Sequence, residues 1–151
     1  MRRVMMSVAV LCVSVLTLTA TTAWTQKKEV DPATLEATLV WLAVMDTGLY
    51  EEGWNQSHPL FQGKVDREEW LEEMRRERSP LGEVKSREVF DSGYFGKIPN
   101  HPGLEMTVIQ FQSEFENKPR AIETLSPVRM NGGPWKIGGY VIADSADFKV
   151  Q

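Results

Sequence analysis

Asp46 stands where an acid is least at home. If a helix runs through this stretch, stepping about 100° per residue puts Asp46 in the middle of a stripe formed by Leu35, Leu39, Leu42 and Leu49. Burying an unpaired carboxylate there costs on the order of several kcal/mol, so it must find a cation, stay wet or keep its proton. Tyr50 and Trp54 follow one and two turns later, which would place carboxylate, phenol and indole along one side of a cavity. With its pKa raised by apolar walls, Asp46 would act as a proton shuttle while Tyr50 donated a hydrogen bond to a developing oxyanion. Arg78, four residues after Met74, falls on the apolar side of a later helix and is the cation expected to pair with Asp46; Arg87 is the alternative partner. Pairing would lower the aspartate pKa and weaken it as a base. The favoured reading is therefore a buried ion pair that fixes how the helices dock. A ligand pocket built from Asp46, Tyr50, Trp54, Arg78 and Arg87 comes second, and catalysis by Asp46 with Tyr50 third.

Other chemistry finds little footing. Glu123 shares a strand face with Leu125, and a solvent-facing glutamate is favoured over a buried acid. His58 and His101 lie far apart in proline-containing loops, and the sole cysteine, Cys12, sits near the N-terminus, so no metal set and no cofactor is expected. Neither a glycine-rich phosphate loop nor a nucleophile elbow occurs. The charged run Glu68, Glu69, Glu72, Glu73, Arg75, Arg76, Glu77 reads as a solvated helix face.

The elements that must position these side chains follow from local signals. Asp31 before Pro32 is a helix start, an acceptor at the N-cap followed by proline at the first helical position, and the pattern predicts one long helix over 32–54. Trp41 and Val44 lie on its mostly polar arc, where meeting the second helix is preferred to forming an exposed homodimer or partner surface. A turn-rich stretch over 57–64 follows, with Leu60 and Phe61 tucked inward. Asp66 then caps a short second helix whose apolar face is Trp70, Leu71 and Met74 and which stops before Pro80 and Gly82. Strands are predicted over 84–95, 105–115, 120–130 and 135–144, the last three joined by tight links into an antiparallel meander. Helices first and strands afterwards is an α+β layout: a long N-terminal helix and a short one packed on a curved four-stranded antiparallel sheet.

The N-terminus reads as an address. Arg2 and Arg3 precede an apolar run over 5–18, followed by small or hydroxylated residues to Ala23, the layout of a secretory signal peptide. At about fourteen residues the run is shorter than the roughly 20 that a membrane span needs, so no stable anchor is expected after cleavage. Cleavage after Ala23 removes Cys12 and two of 17 basic side chains, leaving 15 against 21 acidic ones, a net charge of −6. Nucleic-acid partners are thereby disfavoured, and a periplasmic or secreted location is expected. The organisation is a signal peptide over 1–23, a tether over 24–31, one domain over 32–146 and a tail over 147–151.

Taken together, Trp41, Leu42, Asp46, Gly48, Tyr50, Trp54, Trp70, Arg78, Pro80, Leu81, Gly82, Arg87, Gly133, Trp135, Lys136, Gly139 and Tyr140 resemble the bacterial domain-of-unknown-function family 4019, over residues 34–143. An extra glycine in Asn131, Gly132, Gly133 departs from its pattern and lengthens the last hairpin. The resemblance implies an exported bacterial protein with a cystatin-like or nuclear-transport-factor-2-like cone, and brings no activity. Cones of this kind host isomerases and dehydratases, which keeps a small pocket enzyme as the alternative. The leading expectation is a non-enzymatic module that binds a small molecule or an envelope protein.

Overall fold

The N-cap expected at Asp31 is formed: its carboxylate accepts from the Thr34 N–H at 3.1 Å and the Thr34 hydroxyl at 2.9 Å, and Pro32 opens the helix. The computed structural model describes residues 29–144; the expected signal peptide, the tether up to residue 28 and the C-terminal tail lie outside the described residues. From the cap the chain runs through α1 (Pro32–Asp46), α2 (Tyr50–Gln56), α3 (Pro59–Gln62) and α4 (Arg67–Glu77), then a 3₁₀ turn at Ser79–Leu81. The strands β1 (Val84–Phe95), β2 (Leu104–Phe115), β3 (Lys118–Met130) and β4 (Lys136–Asp144) follow. They form one open antiparallel sheet in the order β1-β2-β3-β4, and the fold is α+β as expected.

The first helix is shorter than its sequence pattern suggests. It ends at Asp46, and Gly48 takes φ +78°, a left-handed conformation that L side chains avoid. The Gly48 N–H closes onto the Met45 carbonyl at 3.0 Å, and the chain restarts at Tyr50 on a new axis. The predicted leucine stripe holds only in part: Leu42 is buried and Leu35 packs against the core. The buried face of α1 is Thr34, Thr38, Trp41, Leu42 and Met45, while Leu39 and Leu49 are 43% and 58% exposed. Thr38 tolerates burial because its hydroxyl donates back to the Thr34 carbonyl at 2.7 Å. Gly53 lets α2 cross close to α1: a Cβ there would stand 2.4 Å from the Met45 sulfur. Trp41, buried as preferred, donates its indole N–H to the Gly53 carbonyl at 2.8 Å.

Phe61 anchors α3, which the sequence offers only as a loop, and Asp66 caps α4 through the Glu68 and Glu69 N–H groups at 2.9 and 3.3 Å. Trp41, Phe61, Trp70 and Tyr140 then meet edge to face or tilted. Trp41 to Tyr140 and Phe61 to Trp70 are both 5.3 Å between centroids. Each such pair adds about 0.5–1.5 kcal/mol beyond its buried area. On β2, Thr107, Ile109, Phe111, Ser113 and Phe115 face the helices. Phe111 pairs across to Val89 and Glu123, and Leu125 to Ile109 and Tyr140. Irregularities at Val89/Asp91 and Leu125/Pro127 break the ladder locally, as bulges that bend a strand do.

Gly48→Ala should cost about 1–2 kcal/mol in urea unfolding, because open space around Gly48 leaves backbone strain as the only penalty. Gly48→Asn should cost clearly less, since Asn tolerates the left-handed region; equal costs would mean that the helix break does not depend on that conformation.

Candidate functional site

The ionisable side chains singled out by their types do converge, at the junction between the end of α1 and the sheet. Arg78, the residue after α4, donates from Nη2 to Asp46 Oδ1 at 3.0 Å. Arg87 on β1 grips the same carboxylate with two bonds, Nη1 to Oδ2 at 2.9 Å and Nη2 to Oδ1 at 3.0 Å. Its Nε and Nη2 also donate to Glu123 on β3, at 2.6 and 3.1 Å. Glu123 accepts further from the Tyr140 hydroxyl at 2.6 Å and from the Ser113 hydroxyl. Two cations and two anions thus cancel inside the fold, with Glu123 fully buried, Arg78 nearly so and the Asp46 side chain 18% exposed. Arg78 reaches the Gly82 carbonyl at 2.8 Å and lies 4.6 Å over the Phe115 ring.

Asp46 sits on the last residue of a helix, where the backbone carbonyls disfavour a negative charge. The arginines must therefore hold it there. Burial pushes the Asp46 carboxyl up, but the bonds and charges of Arg87, and then of Arg78, outweigh this and hold it below the usual aspartate range. Burial likewise works against the Arg87 cation, and Asp46 and Glu123 overcome it, so the guanidinium is more firmly protonated than usual. Burial and the neighbouring Glu123 charge together raise Tyr140 well above a normal phenol.

Tyr50 and Trp54 stand on α2 and not on the helix that carries Asp46. They lie beyond the break at Gly48, and Tyr50 lines a surface cleft with Leu49, Glu52, Asn55, Leu71 and Arg75. The Tyr50 backbone carbonyl accepts from the Trp70 indole at 3.1 Å, while Trp54 packs against the core. Sequence reasoning also favoured the wrong side for Glu123, and it missed Tyr140 and Ser113 as its partners. The alternation on β3 with Ala121 and Leu125 was the available signal for an inward face. His58 accepts from the Leu60 N–H at 3.2 Å beside the start of β4, and His101 belongs to the β1–β2 loop.

A family model described as a protein of unknown function, DUF4019, matches residues 37–140. The chain belongs to the DUF4019 family. The matched span contains all four charges of the network and ends at Tyr140. Comparison with curated proteins gives no match. No helix among the described residues of this DUF4019 chain is long and apolar enough to cross a membrane.

A second feature lies at the other end of the sheet. Val30, Asp31, Ser92, Tyr94, Thr107, Arg129 and Trp135 line a cleft of about 330 Å³. Arg129 lies 4.6 Å over the Trp135 ring and donates to Glu105 at 2.7 Å, and the Tyr94 hydroxyl donates to the same Glu105 oxygen at 2.6 Å. The Arg129 bond, followed by that of Tyr94, holds Glu105 below the usual carboxylate range.

Asp46→Ala should destabilise the domain by about 3–5 kcal/mol, because it leaves two guanidiniums without their shared partner. A melting temperature unchanged within error would refute the network's role. The sign of the pH dependence follows from the depressed Asp46 pKa. Its contribution is fully present above the ordinary aspartate value of about 4 and is lost as pH falls through the lower folded-state value. Asp46→Asn should therefore flatten the acid limb of the stability curve while leaving its slope near neutrality unchanged.

Proposed function

We propose that this DUF4019 protein is exported and works in the periplasm or outside the cell as a non-enzymatic module that binds a small molecule. The observation that carries the non-enzymatic part is the closure of the charge network. Both Asp46 oxygens accept from guanidiniums, and Glu123 is enclosed by Arg87, Tyr140 and Ser113. The alternative, an isomerase or dehydratase type of enzyme using Asp46 and Tyr50, asks for a free base beside a phenol. It loses the base to Arg78 and Arg87, and the phenol to a different cleft. The ligand-binding role considered for Asp46 and Arg87 weakens for the same reason, since their bonds run within the network; Arg78 gives one bond to Asp46 and one to the Gly82 carbonyl, and its buried Nε has no partner.

Support for binding comes instead from the cleft beside Tyr94 and Trp135, whose volume of about 330 Å³ lies at the lower end of the range for small-molecule sites. Support for export comes from Arg2, Arg3 and the apolar run that follows, in a chain whose acidic residues begin at Glu29.

Two measurements test this reading. Protein recovered from the cell envelope or medium of a bacterial host should begin near Trp24 on N-terminal sequencing, and intact chain beginning at Met1 in the cytoplasm would refute export. Native mass spectrometry of the recovered protein should reveal a bound small molecule, and a bare chain in every preparation would refute the binding role.

A further inference from the structure

The two edges of the sheet are defended differently. An edge strand presents unpaired N–H and C=O groups to any extended chain, and proteins blunt it with charge, proline or irregularity. β1 exposes Lys85, Glu88 and Asp91 and breaks register at Val84/Ser86 and Val89/Asp91. β4 runs from Ile137 to Ala143 without a charged side chain or a proline. Register decides which of its backbone groups reach the edge. In an antiparallel ladder, residues alternate between bonding across the pair and turning their N–H and C=O away from it. Ile137, opposite Pro127, turns away: its carbonyl accepts from the His58 N–H at 2.7 Å. Leu125 and Glu123 share the phase of Pro127 along β3, and an extra residue of β4 at Gly138 and Gly139 absorbs the shift. Their partners Tyr140 and Ile142 therefore turn outward too. The cap of α3 closes the edge at Ile137, but no described residue outside the sheet bonds the main chain of Tyr140 or Ile142. Between them Val141, 62% exposed, is the most exposed large apolar side chain among the described residues.

We infer that the open half of β4 is a homodimer interface, at which β4 of a second copy adds antiparallel about a twofold axis at Val141 and joins two sheets into one. Tyr140 of each copy then exchanges backbone hydrogen bonds with Ile142 of the other, and the two Val141 side chains cover one another. A second copy fits because the strand is complementary to itself. Lys136 stands at one end and Asp144 at the other, so antiparallel pairing turns the basic end of each strand toward the acidic end of its counterpart. Under twofold symmetry the same residues serve both partners, and no second patch is needed. The open stretch is short, which makes this a dissociable dimer with a Kd on the order of micromolar or weaker. The inference does not depend on the binding-module reading.

The test is sedimentation velocity of the mature protein from roughly 1 μM to 1 mM, where a monomer–dimer equilibrium is expected. Val141→Lys changes an exposed side chain, so the fold should survive, and it should weaken the dimer by at least about tenfold. Removal of residues 1–23 leaves a chain without cysteine, so single cysteines report the geometry. Val141→Cys should form a disulfide-linked dimer under mild oxidation, whereas Lys85→Cys on the opposite edge should not. A monomer throughout the concentration range overturns the inference. Protection of the Ile142 amide from hydrogen exchange in that monomer would give the edge to another segment of this chain, and free exchange would leave it to a different partner. A dimer that Val141→Lys leaves intact also overturns the inference, as does the absence of preferential linking at Val141→Cys.

Discussion

One guanidinium joins the two layers of this fold. Arg87 rises from β1 and bonds at once to Asp46, at the end of α1, and to Glu123, in the middle of the sheet. Hydrophobic contact alone is non-directional and would let α1 slide or rotate on the sheet at modest cost. Five charged hydrogen bonds with fixed geometry do not permit that. The net stabilisation from such buried pairs is small, because desolvation offsets much of the attraction. Their effect is on which packing is chosen, and the penalty for disturbing one member is large.

The network is not separate from the apolar core. Tyr140 belongs to both: its ring packs edge-on against Trp41 at 5.3 Å and its hydroxyl reaches Glu123 at 2.6 Å. Any movement of α1 that breaks the aromatic contact therefore also disturbs the hydrogen bonds of Glu123. On the opposite side, Phe115 supports the flat face of Arg78. Polar and apolar elements hold one another in register, and the turn at Gly48 brings Asp46 to the place where both meet.

How much of this was legible in the sequence depended on whether the signal was local. Caps, turns and alternation are local, so the Asp31 and Asp66 caps, the four strands and the α+β class could be read directly. An acid among leucines also signalled correctly that Asp46 needed a cation. The break at Gly48 was less visible, because one glycine inside a helical pattern costs only about 1 kcal/mol and helices often tolerate it. That single misreading carried Tyr50 and Trp54 onto the axis of α1, whereas they stand on α2. Glu123 was misjudged for a different reason. Its partners Arg87, Ser113 and Tyr140 are distant in sequence, and no local pattern announces that three donors will converge on one carboxylate.

The order of the four charges along the chain gives biosynthesis a direction. Asp46, Arg78 and Arg87 leave the ribosome before Glu123, and Tyr140 follows later still. A growing chain that stops short of β3 carries two cations for one anion and has no acid to close the set. Its helices have no sheet partner for these charges, and non-local contacts reward the chain only after the cost of loop closure has been met. From the emergence of Arg87 until Glu123 follows, the set therefore carries one unmatched cation, and only a chain that includes β3 restores the balance.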